Sequence, residues 1–377
     1  MMRYIAGVCA LAVLCGCGGS GTVHSGQPAS ATASVAEPSL RTSTVPAAVG
    51  AGEMLVGSPV ADSSGLWFFG WSTTDKHLYN WDDSAQKLSS WPIPLGEAPP
   101  AAPPAIAIDS DGTVWLGVND TLAMLTPSGV LSVSQLEPFP ESPAANQFRP
   151  PELQQLHPII GLSAQSGRVA VIATAAASIR VMDERGESSE IALPSGSSAS
   201  AVGWFPGSDE LAVGLIDYSK QANSSAALIN VESAKIRVVD VPDASFINPW
   251  PQAEALLIGS LRPSTLAKDG SVEPLTLPVA SDQLTPLSGV VAVSATSVAF
   301  GTSSRVMEFD TASGELQSAD DYPRQECVTP SQNPSVSGQP ADNSPLCPTQ
   351  LPILTAFSGG HVWYVLPGSN PTFVRVD

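Results

Sequence analysis

A short apolar run recurs seven times along this chain, and no other feature restricts the fold so tightly. It reads Trp67-Phe68-Phe69-Gly70, Val114-Trp115-Leu116-Gly117, Val169-Ala170-Val171-Ile172, Leu211-Ala212-Val213-Gly214, Leu256-Leu257-Ile258-Gly259, Val298-Ala299-Phe300-Gly301 and Val362-Trp363-Tyr364-Val365. The runs end at 70, 117, 172, 214, 259, 301 and 365, in steps of 47, 55, 42, 45, 42 and 64. Each is strand length and too short for a helix. Around the second copy a whole unit is legible. Ala105-Ile106-Ala107-Ile108, Thr113-Val114-Trp115-Leu116-Gly117, Leu122-Ala123-Met124-Leu125 and Val130-Leu131-Ser132-Val133 are divided by turn residues, among them Asp109-Ser110-Asp111-Gly112 and Thr126-Pro127-Ser128-Gly129. Gly112 and Gly129 suit the positive φ that such turns need. The unit is a four-stranded antiparallel meander.

One such sheet cannot bury both faces alone, whereas sheets stacked radially do so, and a period of 40 to 50 residues suits a propeller blade. The fourth stretch often ends in Pro, as at Pro92, Pro194, Pro242 and Pro278, which an outermost strand tolerates because its outward N–H has no ladder partner. The sequence therefore predicts an all-β, seven-bladed β-propeller of four-stranded antiparallel blades over residues 39–377. The last repeat stops one strand short, so the ring is expected to be closed by an N-terminal strand, Leu40–Pro46 beside Phe373–Val376. The unit at 105–133 resembles blades of the virginiamycin B lyase-like and NHL-type propellers. That resemblance covers one blade closely and implies the fold. A lyase of that kind needs catalytic His and metal-binding acids at matching blade positions. The four His (His24, His77, His157 and His361) form no such set, so no catalytic residue, metal or cofactor is assigned. Asp109-Ser110-Asp111-Gly112 has the start of a calcium loop but lacks its later ligands and reads as a hairpin turn.

The N-terminus reads as an address. Arg3 supplies positive charge, and Tyr4 to Leu14 is an apolar stretch too short to span a bilayer as a helix. Leu14-Cys15-Gly16-Cys17 follows and resembles the lipobox of bacterial lipoproteins. The resemblance implies that Cys17 is diacylated, as by palmitate, and becomes the first residue of the mature protein. Residues 1–16 are then a lipoprotein signal peptide. Residues 17–38, rich in Gly, Ser, Ala, Thr and Pro, are a flexible tether. The expected location is extracytoplasmic, lipid-anchored to the bacterial cell membrane. Cys9 and Cys15 leave with the signal and Cys17 carries lipid, so Cys327 and Cys347 remain. An even remainder in an oxidising compartment reads as a disulfide, worth about 3 kcal/mol for a loop of about 20 residues. A zinc site is the alternative, but no second ligand pair lies nearby.

The formal net charge of −19 repels phosphate backbones and excludes nucleic acid as a partner class. Trp67, Trp115 and Trp363 occupy one repeat position and read as packing between blades, whereas the less regular Trp71 and Trp81 fit either core packing or a surface glycan site. In a meander the fourth-to-first and second-to-third connections share one face. The long segments 134–158, 215–226, 279–288 and 318–352 fall on it, so function is expected there. The candidate binding residues are Phe148, Arg149, His157, Tyr322, Arg324 and Glu326. The function they suggest is a monomeric, non-catalytic envelope scaffold that binds an envelope protein or a small ligand. The competing class is a propeller enzyme, a metal-dependent lyase or lactonase-type hydrolase with its site at the channel mouth.

Overall fold

The computed structural model describes residues 42–46, 53–62, 65–147, 149, 156–218, 222–259, 261–279, 284, 290–302, 305–321, 353–357, 361–366 and 372–376. All belong to one compact unit, Glu37–Asp377. β1 (Thr42–Pro46) comes first. The first blade is β2 (Met54–Asp62), β3 (Gly65–Trp71), β4 (Lys76–Asp82) and β5 (Lys87–Pro92). The second is β6 (Ala105–Ile108), β7 (Val114–Val118), β8 (Thr121–Leu125) and β9 (Leu131–Gln135). A single turn of helix, α1 (Pro143–Asn146), precedes the third: β10 (Ile159–Gln165), β11 (Arg168–Ala173), β12 (Ser178–Asp183) and β13 (Ser188–Ala192). The fourth is β14 (Ser197–Trp204), β15 (Glu210–Asp217), β16 (Ala222–Asn230) and β17 (Lys235–Asp240). The fifth is β18 (Ile247–Trp250), β19 (Ala255–Ile258), β20 (Ser264–Leu266) and β21 (Val272–Pro274), and the sixth is β22 (Val290–Ala292), β23 (Ser297–Gly301), β24 (Arg305–Asp310) and β25 (Glu315–Asp321). The chain ends with β26 (Ile353–Phe357), β27 (His361–Leu366) and β28 (Thr372–Val376).

Within each of the six blades the strands pair in sequence order and antiparallel, as the turn residues require. The second strands are buried on both faces, β7 and β23 along their whole length, which is why they read as unbroken apolar runs. Alternate side chains enter the two neighbouring seams. Leu116 and Val118 pack with Trp67, Phe69 and Leu78 of the first blade, while Trp115 packs with Val169, Val171 and Ala173 of the third. Trp67, Trp115 and Trp363 are all buried in such seams, as their repeat position predicts. Trp67 also stacks on Trp91, with centroids 5.4 Å apart.

The expectation of a seven-bladed ring closed by an N-terminal strand is corrected here. Six blades are contiguous four-stranded meanders. The remaining sheet is composite, in the order β1-β28-β27-β26. Only three of its strands are consecutive in the chain, and its fourth position is taken by β1, from Thr42 opposite Val376 to Pro46 opposite Thr372. β1 is this sheet's outer edge. The seam against the first blade runs across this sheet: β26 neighbours β2 at its inner end, and Trp363 of β27 and Phe373 of β28 bury against Leu66, Phe68 and Tyr79. Phe68 and Phe373 have centroids 4.6 Å apart. Apolar area removed from water drives that contact.

One other expectation changes. The segment 215–226 is not a long connection, because β15 and β16 extend through most of it and stay paired to Asp217 opposite Ala222. Asp109–Gly112 is the expected hairpin turn, joining β6 to β7, and it also fastens two blades. Gly112 N–H donates to the Asp109 carbonyl at 3.0 Å. The buried Asp109 carboxylate accepts N–H bonds from Ser110 of its own turn and from Ser166 and Gly167 of the next blade. Those bonds occupy the oxygens that a calcium ion would need.

Candidate functional site

The face carrying the fourth-to-first and second-to-third connections holds two constellations, one on each side of the first blade. The first is built around Glu53, immediately before β2. Its side chain is completely buried and lies over β3 at Gly70. A Cβ on Gly70 would stand 2.8 Å from Glu53 Oε2 and 2.9 Å from the Tyr79 ring. The missing side chain is therefore what lets the carboxylate reach β4. There Glu53 Oε1 meets His77 Nδ1 at 2.5 Å, and the Tyr79 hydroxyl donates to Oε2. Tyr79 is buried and stacks on Phe68 at 5.1 Å, while the His77 side chain keeps 27% of its surface exposed. A buried carboxylate survives only with such partners. The contact through Nδ1 also fixes the imidazole's orientation.

The second constellation is a cavity of 480 Å³ in the seam between the first and second blades. Trp71 closes one side, Pro94, Leu95, Gly96 and Ala98 another, and Val118 to Thr121 with Val133 and Gln135 the rest. Trp71 is half-buried, and Asp120 and Gln135 are exposed at the rim. Gln135 Nε2 donates to Asp120 Oδ2 at 3.2 Å, and Thr121 Oγ1 to Oδ1 at 3.4 Å.

Of the sequence-predicted binding residues, His157 and Arg149 are described. The His157 side chain is 5% exposed. Its Nδ1 donates to the Thr174 carbonyl at 2.9 Å, and its Nε2 lies 3.6 Å from Glu141. Arg149 Nη2 donates to the Leu156 carbonyl at 2.5 Å. These contacts fasten the connection after β9 to itself and to the end of β11. Phe148, Tyr322, Arg324, Glu326, Cys17, Cys327 and Cys347 lie outside the described residues. His77 sits on this same face, whereas His361 opens β27 and so belongs to the opposite one. Trp81, weighed as a surface aromatic, packs partly buried in the seam with Trp363, its Nε1 3.3 Å from Asp83 Oδ1. Among the described residues no group of three or more His, Cys, Asp or Glu is arranged to hold a metal ion.

Sequence reasoning missed Glu53, Tyr79, Asp120 and Gln135. A glycine inside a strand, such as Gly70 in Phe69-Gly70-Trp71, was the available signal, since it marks close approach of another group.

No protein-family model matches the chain, and no curated protein matches it. Solved structures do. A catalytically inactive histidine-to-alanine virginiamycin B lyase from Staphylococcus aureus, determined with quinupristin, superposes with a TM-score of 0.58 at 14% identity, over 90% of this chain and 100% of that one. A streptogramin B lyase gives 0.59 at 12% identity, over 90% and 98%. The β-propeller domain of Cps50 (Swd1) from Myceliophteria thermophila gives 0.56 at 8% identity, over 89% and 99%. Likeness at this identity is shared equally with lyases and with a protein not described as one. It establishes the β-propeller fold and no activity.

Proposed function

We propose that this protein is a membrane-tethered, extracytoplasmic propeller that serves the bacterial cell envelope as a binding scaffold. The observation that carries the reading is the inequality of the two faces. On one, tight turns join the strands, such as 109–113, 166–167 and 184–187. On the other lie the 136–158 connection and the 480 Å³ cavity. Rigid blades presenting irregular connections on one side are a common platform for recognition. In this reading Cys17 carries the lipid, and a Cys327–Cys347 disulfide orders the connection between β25 and β26, lowering the entropy lost on binding. Two experiments test it. Labelled palmitate should enter the wild type and not Cys17→Ala, whose protein should leave the membrane fraction. Envelope extract passed over the wild type and over a protein lacking 327–347 should yield different partners. Identical partners would remove that connection from the binding face.

One observation favours an enzyme instead: His77 is backed by the buried Glu53 carboxylate and partly open to solvent, the arrangement of an oriented general base. A divalent ion bound to the native state raises Tm by mass action. A metal-dependent rise in Tm that His77→Ala abolishes would favour the lyase or lactonase class over the scaffold.

A further inference from the structure

We infer that the cavity between the first and second blades is a binding site for a neutral saccharide. This deepens the scaffold reading by naming a ligand class for its face, and it rests on the local chemistry of the cavity.

The walls are held in place without a ligand. Asn119 adopts a left-handed φ of 54° at the turn between β7 and β8. Its Oδ1 accepts from Ala101 N–H at 2.7 Å, and its Nδ2 donates to the Pro99 carbonyl at 3.4 Å. Its own carbonyl accepts from Ile159 N–H at 2.6 Å, and that of Asp120 from Leu136 N–H at 2.8 Å. The facing wall is tied by Ile93 N–H to the Lys76 carbonyl and by Leu95 N–H to the Ile93 carbonyl, both 2.8 Å. A site fixed in advance loses little entropy on binding. Its volume lies within the roughly 300–1,000 Å³ of ligand pockets.

The lining then selects the ligand. Trp71, Leu95, Val118 and Val133 offer apolar surface. Asp120 is the lone charged group in the lining, and with the net charge of −19 it disfavours phosphate, sulfate or carboxylate ligands. A carboxylate has about four lone-pair positions. Two donors from Thr121 and Gln135 occupy part of them, leaving capacity for ligand hydroxyls. The Trp71 indole N–H meets no acceptor among the described residues. A cation that carries no oxygen, such as a guanidinium or ammonium group on an alkyl chain, would satisfy Asp120 but has no acceptor to offer the Trp71 and Gln135 donors. An apolar ligand would offer nothing to the Trp71 N–H or to the remaining lone pairs of Asp120. Donors, acceptors and an aromatic plane are satisfied together by a sugar ring, with hydroxyls at its rim and C–H bonds on its face.

The test uses the detergent-solubilised full chain and free sugars. Maltose, cellobiose, trehalose, lactose and N,N′-diacetylchitobiose are titrated while tryptophan fluorescence and heat are followed, with agmatine as the cationic control. At least one disaccharide should bind, and Trp71→Ala should weaken it tenfold or more. Asp120→Ala and Gln135→Ala, both at exposed positions, should weaken it with Tm unchanged, so misfolding does not confuse the result. The proposal is overturned if none of the sugars binds, if agmatine alone binds through Trp71 and Asp120, or if sugar binding survives all three substitutions. Failure of the envelope pull-down would leave these titrations unaffected, so the two readings fail separately.

Discussion

Gly70 shows how much one side chain, or its lack, decides in this protein. The Glu53 carboxylate reaches His77 and Tyr79 through the space that a Cβ would fill, 2.8 Å from Oε2. Gly70→Ala is therefore expected to destabilise the protein by about 1–3 kcal/mol, the usual cost of overpacking. Gly96 has open space around it and no positive φ, so Gly96→Ala should leave the urea midpoint unchanged. Equal midpoints for the two variants would show that Gly70 is not making that room. His77 is one of only four His in the chain, but its partner is 24 positions away. No local spacing pattern joins them.

Among elements, the third-to-fourth turns repeat one device. Asp82 accepts from Ala85 N–H, Asp183 from Arg185 and Glu187 N–H, Asn230 from Ser233 N–H, Asp269 from Ser271 N–H and Asp310 from Ser313 N–H. The side chain mimics a backbone turn. At Asp82 and Asp310 backbone N–H donors hold the carboxyl below the ordinary 3.8, and at Asp269 the Ser271 hydroxyl does so first. A carboxylate held low in the folded state contributes stability that is present above its unfolded value. That stability is lost as pH falls through the lowered folded value. The melting temperature should therefore decline below about pH 4, and Asp269→Asn with Asp310→Asn should make that decline shallower. A decline of unaltered slope would place the acid sensitivity elsewhere. These turns were legible in the sequence, because Asx and Gly chemistry is local.

For the whole molecule, stability is a property of the seams. Asp109 binds Ser166 and Gly167 across one of them, the Trp204 indole donates to the Ser163 carbonyl across the next at 2.9 Å, and the Trp250 indole to Ser294 at 2.7 Å across a third. Asp109→Ala removes the charged acceptor of the Ser166 and Gly167 N–H groups and should cost about 1–3 kcal/mol, as hydrogen bonds to charged groups do. Asp109→Asn, which keeps an acceptor, should cost less, as read by urea denaturation. Equal costs would mean that packing rather than these bonds joins the two blades. The sequence by itself determined the strands, their turns, the meander and the radial stacking. Period-2 alternation, doubly buried runs and turn residues are all recorded within a few tens of positions. Only the tertiary structure decided that Glu53 meets His77 and that Trp71 shares a cavity with Asp120. Those groups belong to different strands or different blades, and they meet through the packing of sheets, which no local pattern encodes.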